Sequence, residues 1–180
     1  MNKKEVQQRV LQNGKPLDLD KFSWHETTKT FSTIERNLVL DFDGIDFCTF
    51  ITGWGSTFRT GSDCNFRTGY RCNFITGRGC TFRNCSDCNF ITGSDCNFIT
   101  GSGCTFKTGI NCVCIRKDVF EFFEIPVDIK IKLNNCGVKG FKVLEAKKLI
   151  KFKIERIVEC ETEEEARKLL KDGENMVLID

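Results

Sequence analysis

Phenylalanine occurs at Phe50, Phe58, Phe66, Phe74, Phe82, Phe90, Phe98 and Phe106, an unbroken spacing of eight. Cysteine stands two residues earlier in each unit except one, where Ser56 replaces it. The unit reads C-x-F-x-T-G-x-x. On an extended chain, residues two apart share a side, so Cys and Phe face inward. The Thr or Asn between them, and the Ile, Arg or Lys after Phe, face out. Thr-Gly is expected to end each strand, Gly supplying left-handed backbone angles that cost other residues about 1–2 kcal/mol. The last two places (Ser-Asp, Arg-Gly, Ser-Gly) are turn formers. A lone strand of this kind cannot bury its ring. Stacking identical strands about 4.8 Å apart does so, and stabilises each ring by roughly 1.5–3 kcal/mol. The repeat, from Cys48 to about Ile115, therefore specifies a parallel β-solenoid.

The variable places suggest how many octads complete a coil. CTFITGWG (48–55), CNFITGRG (72–79) and CNFITGSG (96–103) share Ile at the fourth place and Gly at the eighth. STFRTGSD (56–63), CTFRNCSD (80–87) and CTFKTGIN (104–111) share Thr, a cation, and a final Asp or Asn. Grouping at 16 matches only the invariant places, so the expected fold is mainly β: a three-sided parallel β-solenoid with 24 residues and three octads per coil. Phe58, Phe82 and Phe106 then stack in one column, and the cysteines form three inward columns: Cys48, Cys72 and Cys96; Cys80 and Cys104; Cys64, Cys88, Cys112 and Cys136.

The frame decays outward. Leu40 and Phe42 take the Cys and Phe places upstream, and Phe120, Phe122, Cys136 and Val138 do so downstream. These flanks read as capping coils that cover open strand edges. A helix-like Lys3–Gln12, with Val6 and Val10 four apart, covers the first end. From Lys151 the pattern becomes strand, helix and strand (KFKIERIVEC to MVLID), with Thr162 and Glu165 as a capping box and Gly173 as a helix stop. The expected organisation is an N-terminal capping segment over 1–23, the solenoid with its irregular end coils over 24–143, and a small C-terminal β-α-β appendage over 144–180.

The leader VLQNGKPLDLDKFSW, the C-[TN]-F-x-T-G octads, and the exit segments VFEFFEIP and KIKLNNCGVKGFKV resemble a group of octapeptide-repeat proteins of tailed bacteriophages, loosely labelled pentapeptide-repeat-like. The resemblance covers roughly residues 6–143. It implies a phage or mobile-element origin and brings no catalytic motif to these residues. Ser56, Cys85 and Cys114 depart from the octad.

Several function classes are disfavoured by composition. A formal net charge of +2 makes no polyanionic partner obligatory. The single histidine, His25, has no Cys or Asp at nucleophile or ligand spacing, so a general base is lacking and no enzyme is expected. No apolar run approaches the roughly 18 residues of a membrane span, and Met1–Lys15 lacks a signal-peptide core. A cytoplasmic protein is expected, in the host cytoplasm if phage-encoded. Its twelve cysteines are then reduced thiols packed as small hydrophobes. Cys85-Ser-Asp-Cys88 and the pair Cys112 and Cys114 raise a metal site, but zinc needs four converging ligands and the octad commits Cys88 and Cys112 inward. No metal and no cofactor are expected.

The outward columns remain as candidate binding residues. Ile51, Ile75 and Ile99 align on one side, beside Thr49, Asn73 and Asn97. Arg59, Arg83 and Lys107 align on a second, beside Thr57, Thr81 and Thr105. An aligned isoleucine row suits a partner surface or self-association. A basic ladder beside hydroxyls suits phosphate, although no aromatic residue joins it on that face. The favoured reading is a non-catalytic scaffold that binds a host or phage protein. The alternatives are a phage structural or assembly component and an electrostatic nucleic-acid binder.

Overall fold

The computed structural model describes residues 1–145. A short helix α1 (Lys3–Gln7) leads into the hairpin β1 (Val10–Gln12) and β2 (Lys15–Pro16), a 3-10 turn at Leu19–Lys21, and the hairpin β3 (Ser23–His25) and β4 (Thr30–Ser32). The regular part runs through β5 (Leu38–Phe42), β6 (Thr49–Ile51), β7 (Thr57–Thr60), β8 (Asn65–Arg67), β9 (Asn73–Thr76), β10 (Thr81–Cys85), β11 (Asn89–Thr92), β12 (Asn97–Thr100), β13 (Thr105–Lys107) and β14 (Val113–Arg116). It closes on β15 (Glu121–Glu124), β16 (Lys130–Leu133) and β17 (Phe141–Glu145). The expected β-α-β appendage lies outside the described residues, apart from its first two positions, which belong to β17.

Alternate octads enter two sheets. One, here the odd sheet, has the order β17-β16-β13-β11-β9-β7-β5-β1-β2; the other, the even sheet, has the order β15-β14-β12-β10-β8-β6-β4-β3. Phe58 pairs with Phe74 and Phe74 with Phe90 in parallel register, as Phe50 does with Phe66 and Phe66 with Phe82. Two octads therefore complete each coil and the coil is two-sided, so the three-sided reading with Phe58, Phe82 and Phe106 in one column is overturned. The physical reason lies in the core. Within a sheet, rings stack face to face at 4.8–5.3 Å, and across sheets they meet edge-on at 5.0–5.7 Å. Two opposed rows of rings thus meet across the middle of the interior, between the buried cysteines and the buried threonines of each strand. A third side would move the rows apart and lose the edge contacts, each worth about 0.5–1.5 kcal/mol beyond its buried area.

The corners use glycine differently from expectation. Left-handed backbone occurs at the eighth place of each octad: Gly55 (φ 77), Asp63 (56), Arg71 (59), Gly79 (70), Asp87 (52), Asp95 (61), Gly103 (74) and Asn111 (57). Gly, Asn and Asp are the residues that tolerate it most readily. The sixth-place glycine after Thr has an ordinary φ and is required for another reason. A Cβ on Gly93 would lie 2.9 Å from the backbone N of Arg78 in the preceding coil, and one on Gly77 would lie 3.0 Å from that of Ser62. Cys85 holds this place in its octad, and there the β10–β12 register shifts between Arg83 and Cys85. Gly93→Ala is accordingly expected to destabilise by about 1–3 kcal/mol through overpacking. Gly53→Ala, facing the Glu35 carbonyl at 2.9 Å, should behave alike. Urea midpoints read the effect, and unchanged midpoints in both variants would show that the corners yield.

The cysteine columns follow the same parity. Cys48, Cys64, Cys80, Cys96 and Cys112 line the even sheet, and Cys72, Cys88 and Cys104 line the odd one below Ser56; all are buried. These described cysteines, together with Cys114 and the exposed Cys136, are free thiols. The backbone N–H of Cys72 donates to Cys88 Sγ at 3.3 Å, and that of Cys64 to Cys80 Sγ at 3.4 Å. The thiols in turn donate to corner carbonyls, as Cys88 does to Ser86 at 3.2 Å and Cys64 to Ser62 at 3.3 Å. Burial pushes Cys114 up to about 12.

Both ends depart from the octad frame. Leu38 and Leu40 take the Cys and Phe places, since Leu40 pairs with Phe58, whereas Phe42 pairs with Thr60 and sits at the Thr place. The helix stops at Gln7 rather than Gln12, because Val10–Gln12 pairs antiparallel with β5 and covers its free edge. Downstream, β15 turns back antiparallel on β14, pairing Phe123 with Cys114 and Phe122 with Ile115. This reversal leaves Phe120 94% and Phe122 69% exposed, so neither they nor the exposed Val138 and Cys136 extend the core columns.

Candidate binding surfaces

Because alternate octads enter opposite sheets, the two outward columns read from the sequence are divided. On the even sheet the register runs Ser32, Ile51, Arg67, Arg83, Ile99, Ile115 and Phe122. On the odd sheet it runs Asp41, Arg59, Ile75, Ile91 and Lys107. Ile51 and Ile99 thus share a face that Ile75 does not, and Arg59 and Lys107 share a face that Arg83 does not. Thr57 and Thr105 belong to the odd sheet and Thr81 to the even one. No continuous isoleucine row or cation row of the expected kind exists. The likeness between every third octad is carried by outward residues and by the corner residue at the eighth place, and neither is fixed by the stacking of the core that would reveal the coil.

The odd face presents Ile75 (50% exposed) directly beside Ile91 (55%). Asn89 donates from Nδ2 to Asn73 Oδ1 at 2.8 Å in the adjoining row. Ile91 also opens into a cleft of about 330 Å³, where Asn89, Thr105, Lys107 and Lys130 supply the polar wall. Arg59, at the other end, pairs with Asp43 at 3.1 Å, both side chains being more than half exposed. Such a pair contributes little to stability. A wider hollow of about 840 Å³ over the N-terminal cap is lined by Met1, Glu5, Gln8, Arg9, Asp41 and Ile45, with charges of both signs.

One cluster was not singled out from the sequence. At the corner following the even strands, the Arg36 guanidinium lies 5.1 Å from the Trp54 ring centroid, and Trp54 stacks on Tyr70 at 5.8 Å with planes 9° apart. Trp54 and Tyr70 hold the seventh place of octads one coil apart, so only the two-sided register brings them together.

His25 is exposed, and its Nδ1 lies 3.0 Å from Thr28 Oγ1 within its own turn. Among the described residues no group of three or more His, Cys, Asp or Glu is placed to hold a metal ion, and no helix is long and apolar enough to cross a membrane. No family model, curated protein or solved structure matches the chain.

Proposed function

We propose that the chain is a non-catalytic binding scaffold of phage type, and that its odd face engages a protein. The observation that carries this reading is the adjacent pair Ile75 and Ile91, half exposed on the odd sheet and continuous with a cleft that bears Lys107 and Lys130. An apolar side chain flanked by carboxylates fits that arrangement, the isoleucines supplying area and the lysines complementary charge. The close-packed interior keeps the frame fixed, so little entropy is lost on docking. The resemblance of the octads to phage repeat proteins supports a host or phage protein as partner, met in a reducing cytoplasm.

The test compares capture from extracts of infected cells by the parent chain and by Ile75→Thr/Ile91→Thr. Thr suits an exposed strand, so thermal unfolding should be unchanged. Protein retained by the parent should be held at least about tenfold more weakly by the variant, a loss of roughly 1.4 kcal/mol. Equal retention by both would sink this reading. A structural or assembly role is the second reading, favoured by the exposed rungs Ile115 and Phe122 on the even face. Sedimentation that shifts with concentration in the parent, and not in Phe122→Ser, would support it.

A further inference from the structure

The corner holding Arg36, Trp54 and Tyr70 has the makings of a second site, on a different edge from the odd face. The planes of Trp54 and Tyr70 differ by only 9°, so the coils already set flat groups in parallel at successive rungs. The next rung holds no ring. Arg71 N donates to the Ser86 carbonyl at 3.0 Å, which places Ser86 one coil beyond Tyr70. Ser102 follows it, its carbonyl accepting from Asp87 N at 3.0 Å. Tyr70 is 49% exposed, and among the described residues Trp54 is its only ring partner. The stack therefore ends on an aromatic face above a small side chain.

The exposed charge around that face is mainly positive. Arg67 stands in the same octad as Tyr70, three residues earlier, and pairs in register with Arg83 on the neighbouring strand. Arg71 follows Tyr70 directly and is held at φ 59 in the corner. Arg36, Arg67 and Arg71 are exposed. Among the described residues no ion pair engages any of the three. Two acids share this edge and both are turned elsewhere: Glu35, beside Arg36, accepts from Gln12 Nε2 at 3.0 Å, and Asp87, beside Ser86, leans toward the next coil, its Oδ1 filling the space that a Cβ on Gly103 would need. Cations beside a stacking platform are the combination that binds an unpaired base together with its phosphates.

We infer that this corner binds single-stranded nucleic acid, one base continuing the Arg36–Trp54–Tyr70 stack over Ser86 while the flanking phosphates meet Arg67, Arg71 and Arg83. A duplex offers no free base face and is held only through its phosphates. A neutral sugar could stack on Tyr70 but would have no use for the guanidinium groups. The site is independent of Ile75 and Ile91, so either proposal can fail alone.

The test uses the full chain and a fluorescent oligothymidylate of roughly 12 nucleotides, long enough to span one such site. Anisotropy should show saturable binding that weakens with salt, tighter for the single strand than for the matching duplex. Tyr70→Phe should bind as the parent does. Tyr70→Ser should bind roughly 5- to 150-fold more weakly, the range for loss of one stacked base. Arg67→Gln/Arg71→Gln should flatten the salt dependence. Tryptophan emission should change on titration in the parent and not in Trp54→Leu, a readout that stands even if Tyr70→Ser folds poorly. Absence of saturable binding, equal affinity for duplex, equal affinity of Tyr70→Ser and the parent, or an unmoved tryptophan signal would each overturn the inference. Binding of heparin and oligonucleotide alike, with no Tyr70 effect, would reduce the corner to a patch of charge.

Discussion

Phe82→Ala is expected to lower stability by about 3–5 kcal/mol, the range for deleting a fully enclosed aromatic ring. Phe82 stacks on Phe66 at 4.8 Å and on Phe98 at 4.9 Å, and meets Phe74 and Phe90 edge-on at 5.0 Å each. Truncation leaves a hole bordered by four rings, each fixed by its own strand ladder and unable to move in. Coils touch only their neighbours, so the damage should be regional, and urea unfolding should broaden or split as the two flanks lose cooperativity. Phe106→Ala is the control. Its ring contacts are Phe90 and Phe98, and its outer rung is Ile131 rather than a phenylalanine. A smaller loss is expected there. A loss for Phe82→Ala below about 1 kcal/mol, the ordinary size of a point-mutation effect, would mean that the sheets close over the gap.

Arg116→Met is expected to open the C-terminal cap, at a cost of about 3–5 kcal/mol. Arg116 stands at the Thr place, paired with Thr100, and is 0% exposed. Its Nη2 meets Asp118 Oδ2 at 2.6 Å, and its Nη1 lies 3.7 Å from Glu121 Oε2. The guanidinium also donates to the carbonyls of Val138 at 2.7 Å, Gly140 at 3.3 Å, Asn134 at 3.3 Å and Asn135 at 3.4 Å. One planar fork thus fastens the β16–β17 loop to the last regular strand. Met replaces the volume but leaves the mostly buried Asp118 carboxylate and several carbonyls without their donor, and leaves Glu121, which keeps the Gly140 N–H at 2.9 Å, without its countercharge. Lysine, with a single ammonium, cannot reproduce the fork, so Arg116→Lys should rescue little. Adding Asp118→Asn and Glu121→Gln should restore part of the loss by removing the uncompensated charges. Proteolytic nicking between residues 117 and 140, followed by mass spectrometry, reads the opening. Resistance equal to the parent's in Arg116→Met would show that β15 and β16 hold the cap unaided.

The inward half of the octad was legible because stacking constrains it: Cys and Phe at fixed places must meet their copies, and each is buried as its spacing requires. The outward half misled for the complementary reason. Ile51, Ile75 and Ile99 match at every third octad although Ile75 lies on the opposite face, since neither core nor ladder dictates what faces water. Glycine was assigned the wrong task. The conspicuous Thr-Gly step is a close-approach site visible only with the neighbouring coil in place, whereas the left-handed bend falls two residues later, where Asp, Asn and Arg conceal it. Phe120 and Phe122 kept the frame by count, but the chain had already reversed direction after Arg116. The Trp54–Tyr70 pair was present in the sequence as a spacing of two octads, and it acquired meaning only with the coil length.

A two-sided coil built from one-sided units makes face identity a matter of parity. Every octad carries the same inward residues, so excising one, for instance 88–95, would leave the ring and thiol columns continuous. The outward residues downstream would all change sides: Ile99 and Ile115 would pass to the face of Ile75, and Lys107 to that of Arg83. Gain or loss of a pair of octads instead lengthens or shortens the body with both faces preserved. Recombination in odd and even numbers of octads would therefore have opposite effects on this molecule: an odd step rewrites the surface below the junction without a single substitution, and an even step conserves it.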